Sequence, residues 1–519
     1  MLVYGLSSWG FKYMPSQSSK HPVAEERRDS SGICGLDEIL HGGFPHGHLF
    51  LVEGEPGAGK TTLGLQFLME GAMRGERVLY ITMSESEDEL RKIAHSHGWS
   101  LDGVTIYQYS PDGGDLSPEE QYSVFHPSDV EFQDTTQEIL TEVKRVNPAR
   151  VVLDSLSEIR LLARDPLRYR RQVLALKQYF RARDCTVLLL DDRTSSVHDI
   201  QLESIAHGVI LLETVPRDYG KTRRRLQVSK LRGSAFREGY QDFMIRKGGL
   251  KTFPRLISGG DYLRIPKGQA NSGIARLDSL WNGGLDRGTA SLFMGPAGSG
   301  KSSLAFAYAV EAARKGETVA VFLFEELVSS ACKRGASLGM NAKPFIHSGK
   351  FHISKIDPTE LSPGEFMDRV RSAVEEQGAK VVVIDSLNGL LQAMPNEETL
   401  TVQLHQMLTF LNQNGIVTII VLSQAGMVAA QQESPVDLSY LADNVLLFRY
   451  FETEGCVHKA LSVVKKRSGS HEDTIRELIF SKGRISLGEP LREFRGVLTG
   501  VPTYVGSMDK FKDQRASAR

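Results

Sequence analysis

Two nonapeptides in this chain carry side chains at a spacing suited to gripping a phosphate chain. They are Gly54-Glu55-Pro56-Gly57-Ala58-Gly59-Lys60-Thr61-Thr62 and Gly295-Pro296-Ala297-Gly298-Ser299-Gly300-Lys301-Ser302-Ser303. Both fit G-x-x-x-x-G-K-[ST], the P-loop. In such a loop Gly54, Gly57 and Gly59, and likewise Gly295, Gly298 and Gly300, let backbone N–H groups turn inward around phosphate oxygens. Lys60 and Lys301 add a compact positive charge, and the hydroxyls of Thr61 and Ser302 complete a Mg²⁺ shell, with Thr62 and Ser303 beside them. Each site is expected to bind ATP with Mg²⁺.

Further acids and bases fall where a phosphoryl-transfer site needs them. Two apolar runs end in aspartate, Arg150-Val151-Val152-Leu153-Asp154 and Lys380-Val381-Val382-Val383-Ile384-Asp385. This is the Walker B pattern, in which Asp154 and Asp385 orient Mg²⁺-bound water behind Thr61 and Ser302. A group that orients or deprotonates the attacking water is expected beyond the strand next to the P-loop strand. Glu325 and Glu326 stand there in the second half; in the first half only Glu85 does, with Ser84 aligned to Glu325. If they do no chemistry, these acids simply begin a helix and favour its dipole. Each half then closes on a basic cluster, Lys230-Leu231-Arg232 and Lys465-Lys466-Arg467. Recurrence of Lys-x-Arg suits a γ-phosphate sensor reaching in from an adjacent subunit, like an arginine finger. Lys221-Thr222-Arg223-Arg224-Arg225 has no echo and reads as a surface hairpin.

The elements that must position these residues are duplicated. Ser31-Gly32-Ile33…Leu36-Asp37…Gly42-Gly43…Gly47…Gly54…Lys60 returns as Ser272-Gly273-Ile274…Leu277-Asp278…Gly283-Gly284…Gly288…Gly295…Lys301 at a constant offset of 241 residues. Self-similarity at that scale divides the chain into two domains. After each P-loop come a helical pattern and a strand (Arg77 to Thr82; Thr318 to Phe324), then the aspartate strand, then a helix and another strand (Thr186 to Leu190; Val417 to Leu422). Strands alternating with helices predict an α/β fold, two tandem domains with mostly parallel central sheets. The segments Gly208 to Glu213 and Asn444 to Phe448, with the basic runs beyond them, read as hairpins that extend each sheet with antiparallel strands. Ser86-Glu87-Asp88-Glu89 predicts a helix start and Gly98 its stop; Leu116-Ser117-Pro118 and Leu361-Ser362-Pro363 predict another pair of starts. The first half carries about 14 extra residues, expected as a loop around Tyr122 to Asp134. The expected layout is an N-terminal arm over 1–30, domains over 31–253 and 271–486, a linker over 254–270 and a C-terminal extension over 487–519.

Composition narrows the function classes. Lys plus Arg number 62 against 63 Asp plus Glu, a net charge of −1, so no global field draws the chain to nucleic acid. The four cysteines are scattered without a C-x-x-C pair, which argues against a zinc site and a disulfide framework and suits a reducing cytoplasm. Apolar runs are strand-sized, and no membrane span is expected.

With the two P-loops, the SGI…LD…GG…G entry, Lys230-Leu231-Arg232-Gly233, Phe324-Glu325-Glu326 and Arg467…His471…Ile475-Arg476-Glu477 together, the chain resembles the KaiC family, the double-domain branch of RecA-like ATPases. The resemblance implies a homo-hexamer of stacked double rings with ATP between subunits, an ATPase in the first domain, and in the second an ATPase that also phosphorylates itself. It implies that Lys230, Arg232, Lys465 and Arg467 act in trans and that Glu325 with Glu326 activates an acceptor hydroxyl. The family's adjacent Ser-Thr acceptors align with Ser439 and Tyr440, so the serine matches and a phenol replaces the threonine. A signalling or regulatory hub follows from that resemblance. The alternatives from other classes are a RecA- or helicase-like DNA motor and a nucleotide-gated scaffold with little turnover.

Overall fold

The computed structural model describes residues 27–109, 128–163, 166–193, 200–217, 220–256, 267–393, 400–424, 440–453, 455–497 and 503–505. The first domain is built on nine strands: β1 (Leu49–Gly54), β2 (Val78–Thr82), β3 (Val104–Gln108), β4 (Arg150–Asp154), β5 (Thr186–Asp192), β6 (Gly208–Val215), β7 (Arg223–Leu231), β8 (Gln241–Arg246) and β9 (Gly249–Phe253). They lie in the order β9-β8-β7-β6-β1-β5-β4-β2-β3. The second domain repeats this with β10 (Ala290–Gly295), β11 (Thr318–Leu323), β12 (Phe351–Lys355), β13 (Ala379–Asp385), β14 (Val417–Ser423), β15 (Asn444–Thr453), β16 (Cys456–Lys466), β17 (Arg476–Ser481) and β18 (Arg484–Pro490). Their order is β12-β11-β13-β14-β10-β15-β16-β17-β18, the same arrangement read from the other edge. These are tandem RecA-like α/β domains.

Strand composition explains the layering. Leu49-Phe50-Leu51-Val52 is apolar throughout because β1 is covered on both faces. Successive side chains point to opposite faces, so Phe50 and Val52 enter one core while Leu49 and Leu51 enter the other. In the second domain Leu292 and Phe293 divide in the same way.

Helix α1 (Lys60–Met73) follows the first P-loop, and α2 (Glu87–His97) carries the expected capping box, Ser86 accepting from the Glu89 N–H and the Glu89 carboxylate accepting from the Ser86 N–H. Gly98 ends it in the left-handed region, at φ 79°. Further helices of this domain include α3 (Ser128–Val146) and α4 (Pro166–Arg181). Helix α5 (Lys301–Arg314) follows the second P-loop, with α6 (Val328–Ser337), α7 (Pro363–Glu375) and α8 (Leu400–Gln413) completing the set used below. Ser362 caps α7 by accepting from the Glu365 N–H at 3.1 Å; its counterpart at 116–118 lies outside the described residues.

Several expectations are corrected. The expected hairpins form, β6 with β7 and β15 with β16, but β6 and β15 themselves join the P-loop strands in parallel, so antiparallel pairing begins only with β7 and β16. The extra segment of the first half is not all loop, since α3 already runs from Ser128. Residues 28 and 29, inside the expected arm, already pair: Arg28 and Asp29 with Pro45 and Phe44, and buried Asp29 accepts from Thr186 Oγ1 at 2.5 Å. Strand β18 crosses the expected boundary at 486. The basic run at 221–225 does enter a hairpin, but Arg223 is buried and donates to both carboxylate oxygens of buried Asp242, whose Oδ2 also accepts from the Gly364 N–H of the second domain. Around it, Arg246 bonds Glu365 at 2.6 Å, Lys251 bonds Asp368 at 2.8 Å and Glu38 bonds Arg371 at 3.0 Å across the domain boundary.

Among the described residues no helix is long and apolar enough to cross a membrane, and no group of three or more His, Cys, Asp or Glu side chains is arranged to hold a metal ion. The cysteines are unpaired.

Candidate functional site

The sheet register puts the chemistry-bearing residues of each domain at the carboxyl ends of neighbouring strands. In the first domain Gly54 ends β1, Asp192 ends β5, Asp154 ends β4, and Glu85 follows β2. In the second, Gly295, Ser423 and Asp385 end the corresponding strands, with Glu325 and Glu326 just past β11.

Both P-loops have the backbone that an anion cradle requires. Gly57 and Gly59 have φ of 78° and 110°, and Gly298 and Gly300 have 75° and 107°, values that a side chain strains against. A Cβ on Gly59 would lie 2.5 Å from Ile245 of β8, and one on Gly300 2.7 Å from Phe480 of β17, because a hairpin closes over each loop. A Cβ on Gly57 would meet nothing within 4 Å, so its positive φ and not crowding favours glycine there. Helices α1 and α5 both start without a side-chain cap, unlike α2, which leaves their first N–H groups directed into the loop. These residues fit a bound triphosphate.

The hydroxyl and carboxylate positions also fit a magnesium shell. Thr61 Oγ1 donates to Asp154 Oδ2 at 3.1 Å, and Ser302 Oγ donates to Asp385 Oδ1 at 3.0 Å. Burial raises both aspartates, Asp385 to about 6, with the Ser302 hydroxyl and the Arg334 charge opposing the shift. Thr62 and Ser303 are buried on the first turns of the helices.

The two sites differ in how their charges are paired. Lys60 Nζ donates to Gly54 O at 2.9 Å and Glu55 O at 3.1 Å, and is ion-paired with Asp192 Oδ1 at 2.6 Å. Lys301 Nζ donates to Gly295 O at 2.8 Å and Pro296 O at 2.7 Å, and burial pushes it down to about 8. Glu85 keeps one buried oxygen without a hydrogen-bond partner, and burial followed by the Asp154 charge raises its carboxyl. The second pair of acids is tied down instead. Glu325 accepts from Ser386 Oγ at 2.7 Å, and Glu326 is bonded by Arg334 at 2.6 Å. Arg334 of α6 also donates to Ser303 Oγ at 3.1 Å. In the first domain Tyr80 OH donates to Asp154 at 2.5 Å, where the second domain has Val321.

Sequence reasoning missed Asp192, Tyr80 and Arg334. A signal for Asp192 existed, since β5 ends Asp191-Asp192 where β14 ends Leu422-Ser423. Arg334 had only the weaker mark of standing where the repeat has Ile93.

The basic clusters lie at the opposite end of each sheet. Lys230 stands opposite Val209 near the start of β6, while Gly54 lies beside Leu212 near its end. Val209 and Leu212 are three residues apart on the strand, about 10 Å at ~3.3 Å per residue. Lys465 is likewise opposite Val445 at the start of β15, and Arg467 follows it. None of the four is brought to the P-loop of its own domain. Lys230 Nζ is bonded to Ala206 O at 2.9 Å and to Glu203 O, and Arg232 to Ser204 O at 2.6 Å. Lys177 joins them, bonded to Ile205 O at 2.6 Å, and burial together with the Arg232 charge lowers both lysines. In the second domain Lys465 bonds Ala442 O at 2.7 Å and Arg467 bonds the Asp443 carboxylate at 2.9 Å. Ser439 lies outside the described residues; Tyr440 is exposed, and its carbonyl accepts from Arg467 at 3.4 Å.

Comparison with known proteins agrees with this duplicated architecture. The family model described as ATPase: KaiC matches twice, over residues 30–256 and 270–492. Among similar proteins, a circadian clock oscillator protein KaiC of Picosynechococcus sp. is 25% identical over 512 residues, covering 96% of each chain. The circadian clock protein KaiC3 of Synechocystis sp. is 25% identical over 492 residues, 92% of this chain and 95% of the relative. KaiC of Synechococcus elongatus is 25% identical over 507 residues, 95% and 94% of the two chains. The chain belongs to the KaiC family of ATPases and carries two copies of its ATPase domain.

Proposed function

We propose that each domain binds Mg-ATP at its P-loop and hydrolyses it against the basic edge of a second copy of the chain, in a closed ring that family resemblance makes a homo-hexamer in the cytoplasm. The observation that carries this reading is the separation of the two halves of the chemistry. P-loop, Walker aspartate and glutamates occupy the carboxyl end of each sheet, and Lys230-Arg232 or Lys465-Arg467 the amino end. A head-to-tail contact between copies joins one half to the other, and such contacts close into rings. In the first domain the cations at this edge also repel one another, which favours an anion from outside the chain.

The P-loop N–H groups with Lys60 or Lys301 hold the β- and γ-phosphates. Thr61 and Ser302, with Asp154 and Asp385 acting through water, would hold a magnesium ion, which supplies charge neutralisation between those phosphates. Glu85 orients and accepts a proton from the attacking water in the first domain, and Glu325 with Glu326 serves in the second. Arg232 and Arg467 of the adjacent copy stabilise charge on the γ-phosphoryl oxygens as the bond to the leaving group lengthens. In the second domain the same site transfers phosphate to Ser439, with Tyr440 as the lesser acceptor. Support comes from Tyr440 sharing an edge with Arg467, where a neighbour's γ-phosphate would sit. A protein that assembles and modifies itself in this way suits a signalling hub.

Complementation tests the trans arrangement. In a Lys301→Ala background, Lys60→Ala and Arg232→Ala chains are each expected to lose first-domain ATP turnover. Random mixing should restore about a quarter of the interfaces, those pairing an intact P-loop with an intact arginine edge. No recovery on mixing would sink the reading. Phosphopeptide mapping after incubation with Mg-ATP tests the acceptor, and absence of label at both Ser439 and Tyr440 removes the kinase step.

A further inference from the structure

Asp192 is the residue through which the first P-loop departs most from the second. It ends β5, between the P-loop strand β1 and the Asp154 strand β4, and stands beside Gly54 in the register. Its carboxylate meets Lys60 Nζ at 2.6 Å, and the lysine side chain is only 8% exposed. Two backbone carbonyls and this carboxylate together engage all three ammonium protons. The equivalent position in the second domain, beside Gly295, is Ser423. Lys301 there has the two carbonyls but no such counter-charge, in keeping with its lowered pKa.

We propose that Asp192 gates the first P-loop: it holds Lys60 while the loop is free of nucleotide, and an incoming triphosphate must displace it. The inference rests on the reading of that loop as an ATP site. Carboxylate and phosphate oxygens are acceptors of the same kind, and one ammonium cannot serve both at full strength. A displaced Asp192 also stays near Asp154 and Glu85, so the triphosphate enters a pocket already crowded with negative charge. The carboxylate has a retreat, since its side chain is 31% exposed at the strand end and can turn to water. The gate therefore lowers nucleotide affinity without blocking the site, and it sets how readily the first domain empties.

The test uses the full-length protein carrying Lys301→Ala, so that only the first P-loop binds, titrated with a fluorescent ATP analogue and Mg²⁺. Asp192→Ser and Asp192→Asn are both expected to tighten binding about tenfold, ~1.4 kcal/mol. The reciprocal Ser423→Asp, in a Lys60→Ala chain, is expected to weaken the second site by a similar factor, and it stands even if an Asp192 variant fails to fold. Unchanged affinity in the swaps, or weaker binding by Asp192→Ser, overturns the gate while leaving the ATP site in place. If the Lys301→Ala parent shows no saturable binding at all, the ATP-site reading falls and the gate with it.

Discussion

Laid over one another through their sheets, the two domains agree strand for strand and disagree in charge at both sheet edges. At the carboxyl edge the first domain has Glu53, Tyr80, Asp191 and Asp192 where the second has Met294, Val321, Leu422 and Ser423. At the amino edge His207 and Lys177 correspond to Asp443 and Leu408. A duplicated fold tolerates such changes because the apolar strand interiors hold the sheet, while strand ends project beyond the core. The first site thus carries more acids, with Asp192 paired to Lys60, Asp191 to Arg160 and one Glu85 oxygen unbonded, and the opposite end of its sheet is the more cationic. In the second, the acids are tied by Arg334 and Ser386, and Arg467 at the opposite end is tied by Asp443.

The largest effect expected from breaking this comparison concerns a buried cation. Arg150, 1% exposed, bonds Glu76 at 2.5 Å, Ser30 O at 2.7 Å and Phe67 O at 3.0 Å, with its guanidinium 4.8 Å from the Phe67 ring centre. Val381 stands at that place in the second domain, and Glu317, the echo of Glu76, is bonded by the more exposed Arg287. Arg150→Ala should cost the first domain about 3–5 kcal/mol, and Arg287→Ala should cost the second about 1 kcal/mol. Hydrogen exchange resolved by domain measures both, and equal losses would erase the distinction.

A middle-sized effect concerns Glu53. Burial, then the charges of Glu203 and Asp191, raises its carboxyl from 4.5 to about 7, against the opposing pull of Arg193 and Arg160. The native group holds its proton where the unfolded one is already ionised, so its contribution is full below pH 4.5 and is lost as pH rises to about 7. Glu53→Met, copying Met294, should remove that decline and stabilise the protein at pH 8 by ~1 kcal/mol after solvent screening. Urea midpoints at pH 4.5 and pH 8 check it; a gain of the same size at both would point to packing instead.

The smallest expected effect sharpens the contrast between the catalytic acids. Arg334→Ala, in a Lys60→Ala background, frees Glu326 and should raise second-domain ATP turnover by about threefold, ~0.6 kcal/mol of barrier. Lower turnover would mean that Arg334 positions Glu326 for the reaction rather than restraining it.

Much of this was legible from the chain alone. The P-loops, the aspartate strands, the capping box at Ser86 and the repeat are local patterns, each set by residues within a few positions of one another. The parallel entry of β6 and β15 was not legible, because an apolar strand carries no mark of its direction once it is buried on both faces. The reach of the insertion into α3 was not read either, although Ser128-Asp129-Val130-Glu131 has the same S-x-x-E form as Ser86-Glu87-Asp88-Glu89.

By itself, then, the sequence determined two RecA-like domains, two nucleotide loops and the identity of the acids and bases. Tertiary structure alone decided which of them meet. Asp192 reaches Lys60 from a strand 132 positions away, Arg334 reaches back to Glu326 and Ser303, and Lys230 and Arg232 are carried to the far end of the sheet from Gly54. Pairing between charges depends on distance through space, and in a parallel sheet that distance is set by strand order, which leaves no local trace in the chain.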